Sequence, residues 1–271
     1  MISVFLLLNF SLFSVNTLHG DIENRIKEVT ILIEKYPDSL RFYFDRGDLY
    51  LQHEQFEEAL IDFQLCNGVD INPRHVLLKS SEALLGIGKY NAALEQIDRL
   101  IRKEEKHVLA LQFKGRILSN MGEFCQASEQ FESVILYAEV SYINNYLDAS
   151  KAMQACDSVN SFKKSIGILN KGLEKLGPLV VLLQEKVNIY QESQQFDKAL
   201  EAQNEIIELL NRKETAHYDR ALIHLMKSDT ASAELSLINA WEELEQLPIK
   251  IRGTKAMKEL KFNIYSLIMQ L

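Results

Sequence analysis

Tyr43-Phe44-Asp45-Arg46-Gly47-Asp48-Leu49-Tyr50, followed by Phe56, Ala59 and Phe63, is the stretch that decides how this chain folds. Its small residue recurs, because Gly47, Ser81 and Gly115 are each 34 residues apart. Phe56, Tyr90 and Phe124 keep the same interval, as do Ala59, Ala93 and Ala127. Phe63, Ile97 and Phe131 add a fourth register. Small and aromatic residues held in step over three periods mark a repeat array rather than a compact enzyme fold. Such a chain is expected to be a binding scaffold, and the period alone does not say what it binds.

The turns are as regular as the helices. Gly88-Lys89-Tyr90 and Gly122-Glu123-Phe124 put glycine where a first helix must stop, the place of a left-handed C-cap. Glu54-Gln55-Phe56 occupies that place without glycine, so its turn is expected to be strained or differently closed. Past residue 140 the pattern thins. Phe162 and Phe196 are again 34 apart, Ala199 follows Phe196 as Ala59 follows Phe56, and Thr230 and Ala233 continue the register. Ala149 and Ala221 then become the small residues of first helices. The interval from Phe124 to Phe162 is 38, which places four extra residues in the Ser/Asn/Asp-rich turn around Cys156 to Ser161. All four prolines, Pro37, Pro73, Pro178 and Pro248, fall between repeats on this register. A proline inside a helix costs about 3 kcal/mol, so their placement is an independent check.

The period and residue types resemble the tetratricopeptide repeat, a helix–turn–helix unit of this length. The stretch 43–50 matches its first-helix signature with Tyr43 for the family's Trp and Arg46 for its Leu. Ala59…Phe63 and Ala127…Phe131 match the second helix, and Ala93…Ile97 loses the ring. The resemblance implies an all-α, right-handed superhelical array of about six repeats over 40–247, clearest over 40–141 and divergent over 142–247. Asp21 to Lys35 reads as an N-terminal capping helix (21–39 with its turn), with Ile22, Ile26, Val29 and Ile33 at helical spacing. Residues 248–271 read as a C-terminal capping helix with Met257, Leu260, Ile264, Ile268 and Leu271 in one stripe and Lys255, Lys258 and Lys261 outside it. A partner-binding or membrane-surface role for that helix is the lesser alternative.

Composition sets further bounds. A chain of 271 residues that is 47% hydrophobic can bury a substantial core. A net charge of −8 argues against nucleic acid as a partner, since phosphate contacts need a basic stripe. Residues 1–20 are an apolar run from Ile2 to Val15 ending in Asn16-Thr17-Leu18-His19-Gly20, too short to span a bilayer. They read as a signal peptide with cleavage near Gly20, although no Lys or Arg precedes the run. The expected location is therefore periplasmic or secreted, or cytoplasmic if 1–20 is not a signal. An uncleaved anchor and a segment packed on the array remain open, and membrane contact is not expected after cleavage. Cys66 is expected as a buried small hydrophobe; for Cys125 and Cys156 two free thiols are favoured over a disulfide.

No catalytic constellation emerges. His217 and His224 share a helical face without a third ligand, and Gly86-Ile87-Gly88-Lys89-Tyr90 lacks the spacer and the Ser/Thr of a phosphate loop. No enzyme activity, cofactor or metal is expected. What the resemblance implies instead is a concave groove lined by first helices that takes an extended peptide or partner helix. Its positions here are Arg41, Phe44, Asp48, Leu51, Leu78, Glu82, Leu85, Gln112, Phe113, Arg116, Asn120, Tyr146, Met153, Asn188 and Tyr218. Relatives that grip a C-terminal carboxylate use Lys, Asn and Arg, whereas the matching places hold Phe44, Asp48, Lys79, Leu109 and Phe113; that clamp is missing. The expected function is a non-catalytic interaction scaffold of the exported compartment, with a co-chaperone-like holdase as first rival and an enzyme with an unrecognised site as second.

Overall fold

Aromatic residues open four of the second helices, whereas two others begin at Ser161 and Thr230. Phe56 begins α3 (Phe56–Leu65), Tyr90 begins α5 (Tyr90–Ile101), Phe124 begins α7 (Phe124–Tyr137) and Phe196 begins α11 (Phe196–Leu209). The computed structural model describes residues 21–66, 72–156 and 160–271, and among them there is no strand. The chain divides into two compact units, one ending at Ala138 and the other starting at Glu139. In the first unit α1 (21–35), α2 (Leu40–Gln52), α4 (Pro73–Gly86) and α6 (Val108–Asn120) accompany α3, α5 and α7. The second unit contains α8 (Ile143–Ala155), α9 (Ser161–Leu176), α10 (Val180–Glu192), α11, α12 (Glu214–Met226) and α13 (Thr230–Gln246). It ends with α14 (Ile249–Arg252) and α15 (Lys255–Ile268).

Within each unit the main packing joins a helix to its successor, or to the helix after that, as in α2 with α4 and α4 with α6. The apolar clusters follow this rule. One gathers Leu51, Ala59, Phe63, Cys66, Val76 and Ala83 from α2 to α4, and another gathers Ala93, Ile97, Leu100, Ala110 and Ile117 from α5 and α6. A lone helix pair could not bury both faces, so each pair is completed by its neighbours. The expected all-α array of helix pairs is what the structure contains.

The 34-residue registers have a steric cause. A Cβ at Gly47 would lie 2.7 Å from Cε1 of the Phe63 ring, and one at Gly115 would lie 2.6 Å from Cε1 of Phe131. The first helix must be bare at that point for the ring of the second to lie against its backbone. In the middle repeat Ser81 replaces the glycine, its hydroxyl donating to the Leu77 carbonyl at 2.7 Å. The register's ring is there Ile97, fully buried. The lost aromatic at Ala93…Ile97 is thus a volume exchange between two positions.

Five of the described inter-helix turns close alike, which corrects one of the two expectations for Glu54. The Gln55 N–H bonds the Tyr50 carbonyl at 2.9 Å and the Glu54 N–H bonds that of Leu51 at 3.1 Å. Lys89 with Leu84, Glu123 with Leu118, Gln195 with Tyr190 and Asp229 with His224 repeat the longer bond at 2.8–2.9 Å. This is the Schellman arrangement, which needs a left-handed residue after the helix. Gly88 and Gly122 supply it at φ +80°, but Glu54 (φ 60°), Gln194 (φ 57°) and Ser228 (φ 64°) adopt it with a Cβ. The Glu54 turn is closed like the others and carries the strain. Replacing Glu54, Gln194 and Ser228 by glycine should each stabilise the chain by roughly 0.5–1 kcal/mol. A rising urea midpoint at constant slope would show it; a fall would mean these side chains support the turn.

Pro73 is the first residue of α4, where its missing N–H is no loss, and the Asn72 side chain caps the same end by accepting from the Arg74 N–H at 3.0 Å. Where the sequence pattern has Leu in the first helix, Arg46 forms two bonds to Asp62, Nε to Oδ2 at 2.8 Å and Nη2 to Oδ1 at 2.7 Å. Its Nη1 reaches the Thr30 hydroxyl at 3.3 Å, and the guanidinium lies 5.8 and 5.7 Å from the Tyr43 and Tyr50 ring centroids. Asp62 is buried, so this pair ties α1, α2 and α3 together inside the fold.

Candidate partner-binding surface

First helices α2, α4 and α6 stand side by side, and their shared face carries a cavity of about 390 Å³. Phe44, Leu78, Leu109 and Phe113 give it an apolar lining; Asp48, His75, Lys79 and Glu82 complete it. Lys79 bridges the two acids, its Nζ 2.6 Å from Asp48 Oδ1 and 3.5 Å from Glu82 Oε2. Burial pulls the Lys79 pKa down, but bonding to Asp48 and the charges of Asp48 and Glu82 outweigh it and leave it raised. The ammonium is therefore held charged and already paired. Asp48 is also bonded by Gln52 Nε2 at 3.1 Å. Two carboxylates against one ammonium leave the lining mildly acidic.

Five of the positions expected to face a groove are brought together here, namely Phe44, Asp48, Leu78, Glu82 and Phe113. Around them Arg41 and Arg116 are exposed, Arg41 pairing with Asp45 at 2.9 Å and Arg116 lying 5.3 Å from the Phe113 ring centroid. Asn120 is exposed, its side chain donating to the Arg116 carbonyl at 2.9 Å. Gln112 and Leu85 are half-buried. Leu51 is different: it is buried in the α2–α4 cluster and does not face a groove. In the second unit Tyr146 and Met153 are likewise buried. Tyr146 packs so closely on Gly172 that a Cβ there would be 2.9 Å from its Cγ, so it is a core residue. Asn188 is exposed and accepts from Gln184 at 3.3 Å, while Tyr218 packs at the edge of the α12–α15 cluster. Expecting every first-helix position to face outward failed where the helix turns that position toward its own partner helix.

His75, Lys79 and Leu109 line the cavity although they were not in the expected groove set. The signal was present in the period. Arg41, His75 and Leu109 are 34 apart, and so are Lys79 and Phe113. Extending the Arg41 and Phe113 registers by whole periods would have found all three.

No protein-family pattern matches this sequence, and no curated protein is similar to it. Solved structures are more informative. A tetratricopeptide repeat protein from Parabacteroides merdae superposes with a TM-score of 0.55 at 16% identity, over 92% of this chain and 93% of the other. The C-terminal part of a repeat-containing protein of the same kind from Cytophaga hutchinsonii gives a TM-score of 0.67 at 14% identity, over 89% and 98%. The chain has the tetratricopeptide-repeat fold. One chain of the Cut9–Hcn1 hetero-tetramer of the APC/C is also similar, with a TM-score of 0.50 at 15% identity, over 91% of this chain and 47% of that one.

His217 and His224, which share a helical face, are half-buried on α12. Burial lowers the pKa of His217, helped by Arg220 and Lys213, and burial also lowers that of His224, against the pull of Asp229. No group of three or more His, Cys, Asp or Glu side chains able to hold a metal occurs among the described residues. Cys66 is buried and free, as expected, with burial pushing its thiol up to about 11, so it is unreactive near neutral pH. The expectation of two further free thiols is overturned, because Cys125 and Cys156 are both disulfide-bonded. The inserted turn at 157–159 and the apolar run 1–20 lie outside the described residues.

Proposed function

We propose that the chain is a non-catalytic scaffold that holds a peptide or helix of a partner protein against α2, α4 and α6. The observation that carries this reading is the cavity itself. Three successive first helices present side chains at corresponding positions, with an apolar floor beside the paired Asp48, Lys79 and Glu82, and its volume suits one or two side chains of an extended segment. The paired state of Lys79 speaks against capture of a terminal carboxylate, which needs an unengaged cation. The fold supports the reading more generally, since one chain of similar fold works within a hetero-tetramer.

The test uses peptides selected against the full chain from a random display library and titrated against wild type and Leu109→Ala/Phe113→Ala. Leu109 is 52% exposed, but Phe113 is half-buried and packs on the α4–α6 cluster, so unchanged helical signal and Tm must accompany the double change. Losing two apolar anchors at about 1–2 kcal/mol each should weaken binding at least tenfold. Unchanged affinity would rule this surface out. Equal binding to any unfolded chain would favour the holdase.

We further propose that the protein works in an oxidising, exported compartment. Two support this: disulfide-bonded Cys125 and Cys156, and the apolar run at 2–15. The intact mass of the native protein should show loss of about the first 20 residues and of two hydrogens. A full-length, fully reduced mass would reject export.

A further inference from the structure

The C-terminal helix has two apolar faces, and only one is used. Leu260 and Ile264 are buried against α13, with Met257, Leu267 and Ile268 packed around them. Leu260 and Ile264 belong to the stripe read from the sequence, whereas Leu271, its last member, lies beyond the helix and is 47% exposed. On the other side Phe262 is 69%, Tyr265 55% and Met269 69% exposed. At about 100° per residue, Lys255, Lys258, Phe262, Tyr265 and Met269 fall within roughly 80° of arc, nearly opposite Leu260 and Ile264. The stripe is ordered along its length, with lysines on the first turn and large apolar side chains on the last two.

Charge follows the same division. The chain carries a net −8, yet 249–262 holds Lys250, Arg252, Lys255, Lys258 and Lys261 against one acid, Glu259. Arg252 and Lys261 are both bonded to Glu245, and Lys261 also lies 4.6 Å from the Trp241 ring centroid. Lys255 reaches Glu259 only at 3.7 Å across a fully solvated gap. A local cationic surface therefore remains, beside Ile249 at 79% exposed on α14. Lysines beside exposed aromatic and aliphatic side chains are the composition that rests at a headgroup boundary, where anionic lipid attracts the cations and the apolar side chains sink. Because α15 contacts α13 and α14, the stripe is a ridge, suited to sinking into a soft surface.

We propose that α14 and α15 form a peripheral contact for an anionic bilayer surface, with α15 tilted so that Phe262, Tyr265 and Met269 enter the acyl boundary while Lys255 and Lys258 stay among the headgroups. No described helix is long and apolar enough to cross a membrane, so the contact is superficial. It does not depend on the peptide-binding reading, and it takes up the membrane-surface role that the sequence left as the lesser alternative for this helix.

The experiment is flotation of the full chain with vesicles of phosphatidylcholine alone or with half phosphatidylglycerol. Wild type is compared with Phe262→Ser/Tyr265→Ser/Met269→Ser and with Lys255→Glu/Lys258→Glu; unchanged helical signal and Tm confirm both folds. Each lysine near such a surface is worth about fivefold, so the charge variant should lose at least 25-fold. The apolar variant should lose at least tenfold. Binding should favour anionic vesicles and fall with salt. Binding that is absent in wild type, equal on both vesicles, or unchanged in both variants would overturn the proposal. Self-association without vesicles, lost in the apolar variant, would overturn it in favour of a second copy of the chain.

Discussion

Asp62→Ala should destabilise the first unit by about 2–3 kcal/mol, because it leaves the half-buried Arg46 guanidinium without its carboxylate. Arg46 is held by two bonds of 2.7–2.8 Å to Asp62, with two tyrosine rings beside it. The cost arises from stranding a desolvated charge and not from the net strength of the pair. Arg46→Leu alone strands the fully buried Asp62 and should cost more, about 3–5 kcal/mol. Replacing both residues by leucine should return stability to near the wild-type value, since isosteric apolar replacement of a buried pair is often neutral or better. Urea unfolding of the four proteins gives the cycle directly. A cost below about 1 kcal/mol for Asp62→Ala would mean that water reaches the site and the pair behaves as a surface salt bridge.

The second large effect changes sign with its background. Gly115 lies inside α6, where alanine is favoured over glycine by about 1 kcal/mol on propensity alone. Against that, the new Cβ would sit 2.6 Å from the buried Phe131 ring, and overpacking of this kind costs about 1–3 kcal/mol. The clash should win, so Gly115→Ala destabilises. In a Phe131→Leu background the obstacle is gone, and the same change should stabilise by about 0.5–1 kcal/mol. Phe131→Ala should cost about 3–5 kcal/mol through the cavity it leaves. If Gly115→Ala had the same effect in both backgrounds, the small-residue register would owe nothing to the ring. The pairing of Ser81 with Ile97 in the middle repeat would then need another cause.

The fold was legible because its determinants are local and repeated. Gly47 against Phe63 and Gly115 against Phe131 are sequence patterns with a steric meaning, and the glycines at 88 and 122 announce their turns. The turns at Glu54, Gln194 and Ser228 were harder to read. Nothing in those residue types asks for a left-handed backbone; the packing on either side imposes it. The surface was half legible. Phe44, Asp48 and Phe113, positions that the resemblance implied, line the cavity, but whether Leu51 or Tyr146 points outward depends on a small rotation of each helix about its axis, which the period does not specify. The pairing of Lys79 with Asp48, and of Arg46 with Asp62, was hidden because neither ion pair lies within a single helix.

One consequence of the neighbour-only packing concerns damage. A helix whose main contacts are with the next one or two on either side passes a perturbation little farther than they do. An injury at Ala233 should accelerate amide exchange in α12 and α13 and leave protection around Ile97 at its former level. Failure in such a chain would be regional: one stretch could melt while another keeps its grip on whatever it holds.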